Sequence, residues 1–351
     1  MSSKEQQRLQ ISLLKWYKIY GRSLPWRAQS SRRDPYKVWL SEIMLQQTKV
    51  VTVQRYFDKF LNLWPDFHAL AATDLDSVLH AWQGLGYYTR ARNLHKCAQL
   101  VSREFNGFLP DNERDLLKLP GIGPYTAAAI TAIAFGRVSA PVDGNIARVF
   151  SRLMNLHTPL PVLQKEVAQL LVYFVPEKNP GDFVQALMDL GATICMPKKT
   201  LCYLCPLALF CEARKLSLSE YLPIKPTPKK KSTLYGYVFW IKNTKGEVFL
   251  RRRPEEGLLG GMMEFPSTKW RKKIWTIDEA LKEAPTEAKW CKLSGNVKHT
   301  FTHFHLELTV LSGQTDLKQN EVEIWSSPRD FPRYALPTLM KKIVKHVGIK
   351  V

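Results

Sequence analysis

Acidic residues are scarce in this 351-residue chain: Asp and Glu total 31 against 51 Lys and Arg, a formal net charge of +20. That imbalance points to a polyanion as partner, nucleic acid ahead of an acidic membrane surface. Long apolar runs are missing as well. No stretch approaches the roughly 20 residues needed to span a bilayer, and Met1 to Gln10 is polar, without a signal-peptide core. A protein without membrane attachment is therefore expected, cytoplasmic and nucleoid-associated if bacterial. Cysteine is sparse, six in all, and with no secretory signal this excludes a disulfide-built scaffold. There are no internal repeats, which excludes a solenoid.

The few cysteines are unevenly placed. Cys195, Cys202, Cys205 and Cys211 follow the spacing C-x6-C-x2-C-x5-C. Four thiolates in so short a stretch can wrap one cubane iron–sulfur core, a [4Fe-4S] cluster. Zinc is the competing reading, but it usually takes two C-x2-C pairs, and only Cys202 and Cys205 make one here. Cys97 and Cys291 stand alone and are expected to be small apolar fillers.

Texture changes once along the chain. From Gln7 to Leu218 apolar residues recur every three or four positions, the period of packed helices. Leu222 to Ser232 is rich in Pro and Lys and reads as an extended linker. Beyond it, Thr233 to Ile241 and Val248 to Arg253 read as strands joined by a turn at Asn243 to Gly246. His299 to Leu311 reads as one more long strand and Tyr334 to Val347 as a closing helix. The expected architecture is multidomain: an all-α domain over residues 1–221, a linker over 222–232 and a smaller α+β domain over 233–351.

Three segments in the helical part carry chemistry. Leu119 to Ile130 places Gly121 and Gly123 just before an Ala-rich helix. A glycine turn with bare N–H groups feeding a helix N-terminus can grip a DNA phosphate without reading sequence. Asp34-Pro35 starts a helix expected to run from Tyr36 to Thr48, and Glu42 sits in it among Trp39, Leu40, Ile43 and Met44. A carboxylate with apolar neighbours is a candidate for a raised pKa, although a solvent-facing Glu on an amphipathic helix is the commoner case. Asp143, in Pro141-Val-Asp-Gly-Asn145, is a candidate anion or simply a helix N-cap. Together the two carboxylates have the composition that glycosidic cleavage needs, one acid for the leaving group and one anion for the sugar cation.

With these residues in view, the chain resembles the MutY family of adenine DNA glycosylases along nearly its whole length. The matching segments are Leu24-Pro-Trp-Arg27, Ser41 to Thr48, Trp82 to Leu94, the glycine hairpin (a helix–hairpin–helix within about residues 110–140), Val142-Asp-Gly-Asn145, and the cysteine loop 195–211. The resemblance implies removal of adenine from duplex DNA where it is mispaired with 8-oxoguanine or guanine, by a monomer carrying a [4Fe-4S] cluster. It implies that Glu42 protonates the adenine, Asp143 stabilises the sugar cation, Asn145 orients Asp143 and Tyr125 lines the pocket. Trp26 and Arg27 would hold the flipped nucleoside. Gln47, Leu85 and Tyr87 would enter or wedge the base stack, with Gly86 between them at the DNA. Independently of the resemblance, Lys198 and Lys199 lie between Cys195 and Cys202, and a cluster that folds this loop is expected to turn them to the DNA backbone.

Endonuclease III shares the hairpin and the cysteine loop but carries a lysine just after the hairpin, whose amine forms a Schiff base with the sugar. This chain has Tyr125 there, so a glycosylase with little strand-cleaving activity is expected. A redox-sensing DNA-binding protein without catalysis is the other alternative. The second domain resembles a Nudix fold through Arg251 to Pro254, Gly257 to Gly261 and Glu264-Phe-Pro266, but the stretch Trp275 to Lys289 lacks the Glu-rich box that holds Mg²⁺. Pyrophosphate hydrolysis is not expected. In the family this domain reads 8-oxoguanine through a loop that corresponds to His299 to His305, with Thr302 and His303 where relatives carry Ser-His.

Overall fold

The structure, a computed structural model, describes residues 2–27, 33–226, 230–315 and 323–349. It divides into two compact units, residues 1–72 with 93–227 and residues 73–92 with 228–351.

The first unit is helical. Helix α1 (Ser3–Tyr20) opens on a Ser2–Glu5 capping box, and α2 (Pro35–Leu45) has Asp34 as its N-cap, accepting from the Tyr36 N–H at 2.9 Å. Then come α3 (Val50–Leu63) and α4 (Phe67–Ala72). Helix α5 (Leu75–Ala81) and the first turn of α6 (Thr89–Glu104) group with the second unit, and the chain returns to the first along α6. After the short α7 (Glu113–Leu116) come α8 (Pro124–Ile133), α9 (Gly144–Leu153), α10 (Val162–Leu171) and α11 (Pro180–Thr193), then the cysteine loop and the short α12 (Glu212–Lys215). Helix α8 is buried from Thr126 to Ile133 and α11 from Phe183 to Gly191, so these two form the centre of the unit. Helix α11 lies against α1, α8 and α9. Its approach to α9 depends on Gly191, where a Cβ would stand 2.6 Å from the Asn145 Cβ.

The second unit carries a mixed six-stranded sheet: β1 (Ser232–Lys242), β2 (Val248–Arg252), β3 (Met263–Glu264), β4 (Cys291–Thr300), β5 (Phe304–Gln314) and β6 (Glu323–Ser326). The order is β3-β2-β1-β5-β4, with β6 also on β2; β1 and β5 run parallel and the other pairs antiparallel. Alternation along β1 sends Val238 and Trp240 into one core and Tyr237, Phe239 and Ile241 into the other. Helix α14 (Thr338–His346) covers the first face through Met340, Ile343 and Val344. On the second, Ala280 of α13 (Ile277–Leu281) packs with Trp275.

Three expectations change. The segment taken as one strand from His299 to Leu311 is a hairpin: β4 ends at Thr300 and β5 starts at Phe304. A turn at Phe301-Thr302-His303 closes it, the Phe301 N–H donating to the Phe304 carbonyl at 2.9 Å. Polar–aromatic alternation continues through the turn and conceals it. Helix α2 stops at Leu45 rather than Thr48, because the Gln46 amide turns to Thr126 Oγ1 at 3.2 Å and Gln47 takes a left-handed φ of 57°. The closing helix starts at Thr338, because Pro337 caps it in an extended conformation. Of the Pro/Lys stretch, Thr227, Pro228 and Lys229 lie outside the described residues, and Ser232 already belongs to β1. Among the described residues no helix is long and apolar enough to cross a membrane.

Candidate active site

Helix α2 is apolar on almost every side: Tyr36, Val38, Trp39, Leu40, Ile43 and Met44 are all buried. Glu42 therefore has no wet face to occupy and is itself only 6% exposed. It borders a cavity of about 620 Å³ whose walls include Trp26, Arg27, Gln47, Tyr125, Asp143 and Asn145. The structure thus brings together seven residues from four separate sequence segments. The cavity also has Arg22, Gln46 and Gln185 in its wall, none of which the sequence singled out.

The two carboxylates are held differently. Burial pushes Glu42 up to about 7, the nearby Asp143 charge pushes the same way, and the Tyr125 hydroxyl and Arg27 pull against them. Its Oε2 has no hydrogen-bond partner. Tyr125 stays a neutral phenol, raised well above its ordinary value by burial beside two carboxylates. Asp143 is both N-cap and cavity wall, so the two readings of it are compatible. Its Oδ1 accepts from the Asn145 N–H at 2.9 Å and the Ile146 N–H at 2.7 Å, and its Oδ2 from Asn145 Nδ2 at 2.8 Å. Burial raises Asp143 while these donors and Arg148 hold it down.

Asn145 is itself fixed. Its Oδ1 accepts from Arg148 Nη2 at 2.8 Å, and Arg148 also donates to the Gly191 and Cys195 carbonyls. One turn on, Arg152 is 2% exposed and reaches Cys195 Sγ at 3.2 Å and the Met196 carbonyl at 2.9 Å. Arg148 and Arg152 lie on one face of α9, an i, i+4 pair inside an apolar helix. That spacing was the available signal for residues the sequence reading passed over.

All four cysteines of the loop line one cavity, together with Arg152 and Arg214, and none is disulfide-bonded. Among the described residues no three His, Cys, Asp or Glu side chains converge as the ligands of a single ion do. Thiols ringed around a cavity suit a polynuclear core better than zinc. Burial pushes the Cys205 thiol up to about 12, and backbone N–H groups of Leu207, Ala213 and Arg214 point at Cys205 and Cys211. Such a cavity favours thiolates only around a cationic centre, so the donor set fits a cluster. Lys198 and Lys199 are exposed on this loop, whereas Cys97 is buried and Cys291 exposed.

The hairpin precedes α8. Gly121 has φ +80°, and a Cβ there would stand 2.9 Å from the Asn93 Cβ; Gly123 is the N-cap and is exposed. Of the expected wedge residues, Gln47 and Tyr87 are exposed, both with left-handed φ (57° and 49°), a strained conformation for side-chain-bearing residues. Leu85 is instead 5% exposed, and Gly86 (φ +72°) accepts from Trp82 Nε1 at 3.0 Å. Within the second unit the Tyr87 hydroxyl meets Thr302 Oγ1 at 2.6 Å, and His303 is exposed beside it.

Comparison with known proteins agrees with this arrangement. Residues 40–175 match the HhH-GPD superfamily of base excision DNA repair proteins, and residues 237–346 match the NUDIX domain. A thermostable thymine-DNA glycosylase superposes with a TM-score of 0.54 at 30% identity, over 61% of this chain and 98% of that one. Endonuclease III, at 22% identity, shares the fold with a TM-score of 0.51 over 62% of this chain and all of that one. The adenine DNA glycosylase of Buchnera aphidicola (subspecies Baizongia pistaciae) is 33% identical across 96% of this chain and 95% of its own length. The human adenine DNA glycosylase is also 33% identical, over 95% of this chain and 73% of its own length. On that extent of identity, over nearly the whole chain, the chain belongs to the adenine DNA glycosylases.

Proposed function

We propose that this chain excises adenine from duplex DNA where it stands opposite 8-oxoguanine or guanine, acting as a monomer in the cytoplasm. What supports the reading is one cavity bordered by two carboxylates held in different ways: burial raises Glu42 to about 7, while Asp143 accepts three N–H groups that oppose the upward pull of its own burial. The flipped adenosine would enter between Trp26 and Arg27. Glu42 would give its proton to the departing adenine as the glycosidic bond breaks, and Asp143 would balance the positive charge that develops on the sugar. Asn145 keeps the Asp143 carboxylate turned to the cavity, and water completes the hydrolysis. Tyr125 cannot form an imine, so the product is an abasic site rather than a nicked strand. Gly121 and Gly123 would grip a backbone phosphate, while Gln47 and Tyr87 would fill the gap left by the base.

The four thiols would hold a [4Fe-4S] cluster, supplying a redox-capable centre and a covalent staple for the loop. Purified protein is expected to contain about four iron and four acid-labile sulfide per chain, as four Cys ligands imply. Stoichiometric zinc without sulfide after anaerobic purification would overturn this.

Choice of substrate needs the second domain. The excised base is undamaged, so discrimination must come from its partner, and Thr302 presents a hydroxyl already oriented by Tyr87. Thr302→Ala is expected to lower the preference for 8-oxoguanine over guanine by about 1 kcal/mol, one hydrogen bond, or roughly fivefold. Paired single-turnover assays on the two duplexes measure the ratio. An unchanged ratio would remove Thr302 from the recognition surface.

A further inference from the structure

At the wall of the cavity lies a charge cluster of which the reaction scheme above uses only Arg27. Asp189 of α11 is completely buried, and its carboxylate accepts four N–H groups. Oδ1 takes Arg22 Nε at 2.7 Å and Arg27 Nη2 at 2.9 Å; Oδ2 takes the Arg22 backbone N–H at 2.8 Å and Arg27 Nη1 at 2.7 Å. Arg22 and Arg27 both line the cavity that holds Glu42. The bidentate grip uses both terminal nitrogens of Arg27 and leaves its buried Nε–H as a donor without a partner. An isolated carboxylate does not survive complete burial, so Asp189 and the arginines exist as one unit. That unit carries two positive charges and one negative.

We propose that Asp189 is a positioning residue of the adenine pocket: it fixes Arg27 and cancels one of the two guanidinium charges, so that Glu42 is left a neutral proton donor. The inference rests on the reading of Glu42 as the general acid. The groups that face Glu42 are Tyr125 from α8, Asp143 at the start of α9, and Arg27 from the segment before α2. Behind Arg27 stand Asp189, Arg22 and the Tyr17 ring of α1, which lies 5.8 Å from the Arg27 guanidinium. Among the described residues Arg27 is the cation of the first group, and its attraction favours the carboxylate form of Glu42, the form that cannot donate. Asp189 spends much of that attraction on itself.

The net charge of the unit can be stepped in both directions. Asp189→Asn takes it from one positive charge to two, and Arg22→Gln takes it to none. The measurement is single-turnover excision of adenine opposite 8-oxoguanine by the full-length protein, from mildly acidic to mildly alkaline pH. Wild type should lose rate as pH rises through about 7, where Glu42 gives up its proton. In Asp189→Asn that falling limb should move to lower pH by about one unit, a rate loss that grows to roughly tenfold on the alkaline side. In Arg22→Gln it should move to higher pH, and Asp189→Glu should return it towards wild type. A purely structural role would lower the rate evenly at all pH values, and a limb that stays in place in both charge variants overturns the proposal. If Asp189→Asn does not fold by circular dichroism, Arg22→Gln decides: an upward shift supports the proposal and any other result rejects it. Glu42→Gln in the same series separates the two levels. Near wild-type excision by that variant would refute the general acid itself, whereas an inactive Glu42→Gln beside unmoved limbs would refute only the role of Asp189.

Discussion

Glu42→Gln is expected to abolish adenine excision and leave binding to the mispaired duplex intact. The amide occupies the same volume at the cavity wall and keeps an oxygen for the Tyr125 hydroxyl, but it has no acidic proton to give. Loss of a positioned general acid should lower the single-turnover rate by about 10²–10⁴-fold. Gel-shift affinity and excision rate, measured on one preparation, check both halves. A variant that binds and still cuts near the wild-type rate would refute the scheme. The same substitution has a stability signature. Glu42 is raised from 4.5 to about 7 in the folded state, so the folded chain holds a proton that the unfolded chain releases. Its contribution is complete below 4.5 and is lost as pH rises through 7. Glu42→Gln should therefore flatten the dependence of Tm on pH across that window.

Asp143→Asn should be nearly as damaging, for the opposite electrostatic reason. Asparagine caps a helix as well as aspartate does, so α9 should form and the protein should keep its Tm within a few degrees. What disappears is the anion facing the sugar cation, at a cost of about 10²–10³ in rate. There is a local conflict too: an amide NH₂ in place of Oδ2 would point at Asn145 Nδ2, which now donates to it at 2.8 Å. Asn145 cannot simply turn over, since its Oδ1 accepts from Arg148. Unaltered affinity with a slow chemical step is the expected pattern. Equal losses in affinity and rate would mean that Asp143 acts through the fold of α9 rather than through charge.

Much of this was legible in the chain because the signals are local. The Asp34-Pro35 cap, the Pro-Gly-x-Gly-Pro run before α8 and the Asp143 cap each act within a few residues, through dihedral limits and orphan N–H groups. The β4–β5 hairpin was not legible. Its turn has neither Asn-Gly nor Pro, and it is specified by pairing with β1 some 70 positions away. The close of α2 was hidden for a similar reason, since the group that draws Gln46 out of the helix is Thr126 on α8.

By itself the sequence determined the charge, the four-thiol loop, the division into helical and strand-rich parts, and which residues have suitable chemistry. Each follows from composition or from spacing along one element. Only the tertiary structure decided how differently the two carboxylates are held: Glu42 is buried with one oxygen unpaired, and Asp143 accepts three N–H groups. Protonation depends on burial and on neighbours from other segments: Glu42 meets Asp143, Tyr125 and Arg27 across α2, α8, α9 and the loop before α2. It also decided that Asp189, an ordinary acid in an amphipathic pattern, is the counter-charge of two arginines 167 and 162 positions away. Coulomb energy depends on distance in space and on the medium between the charges, and neither can be read from position in the chain.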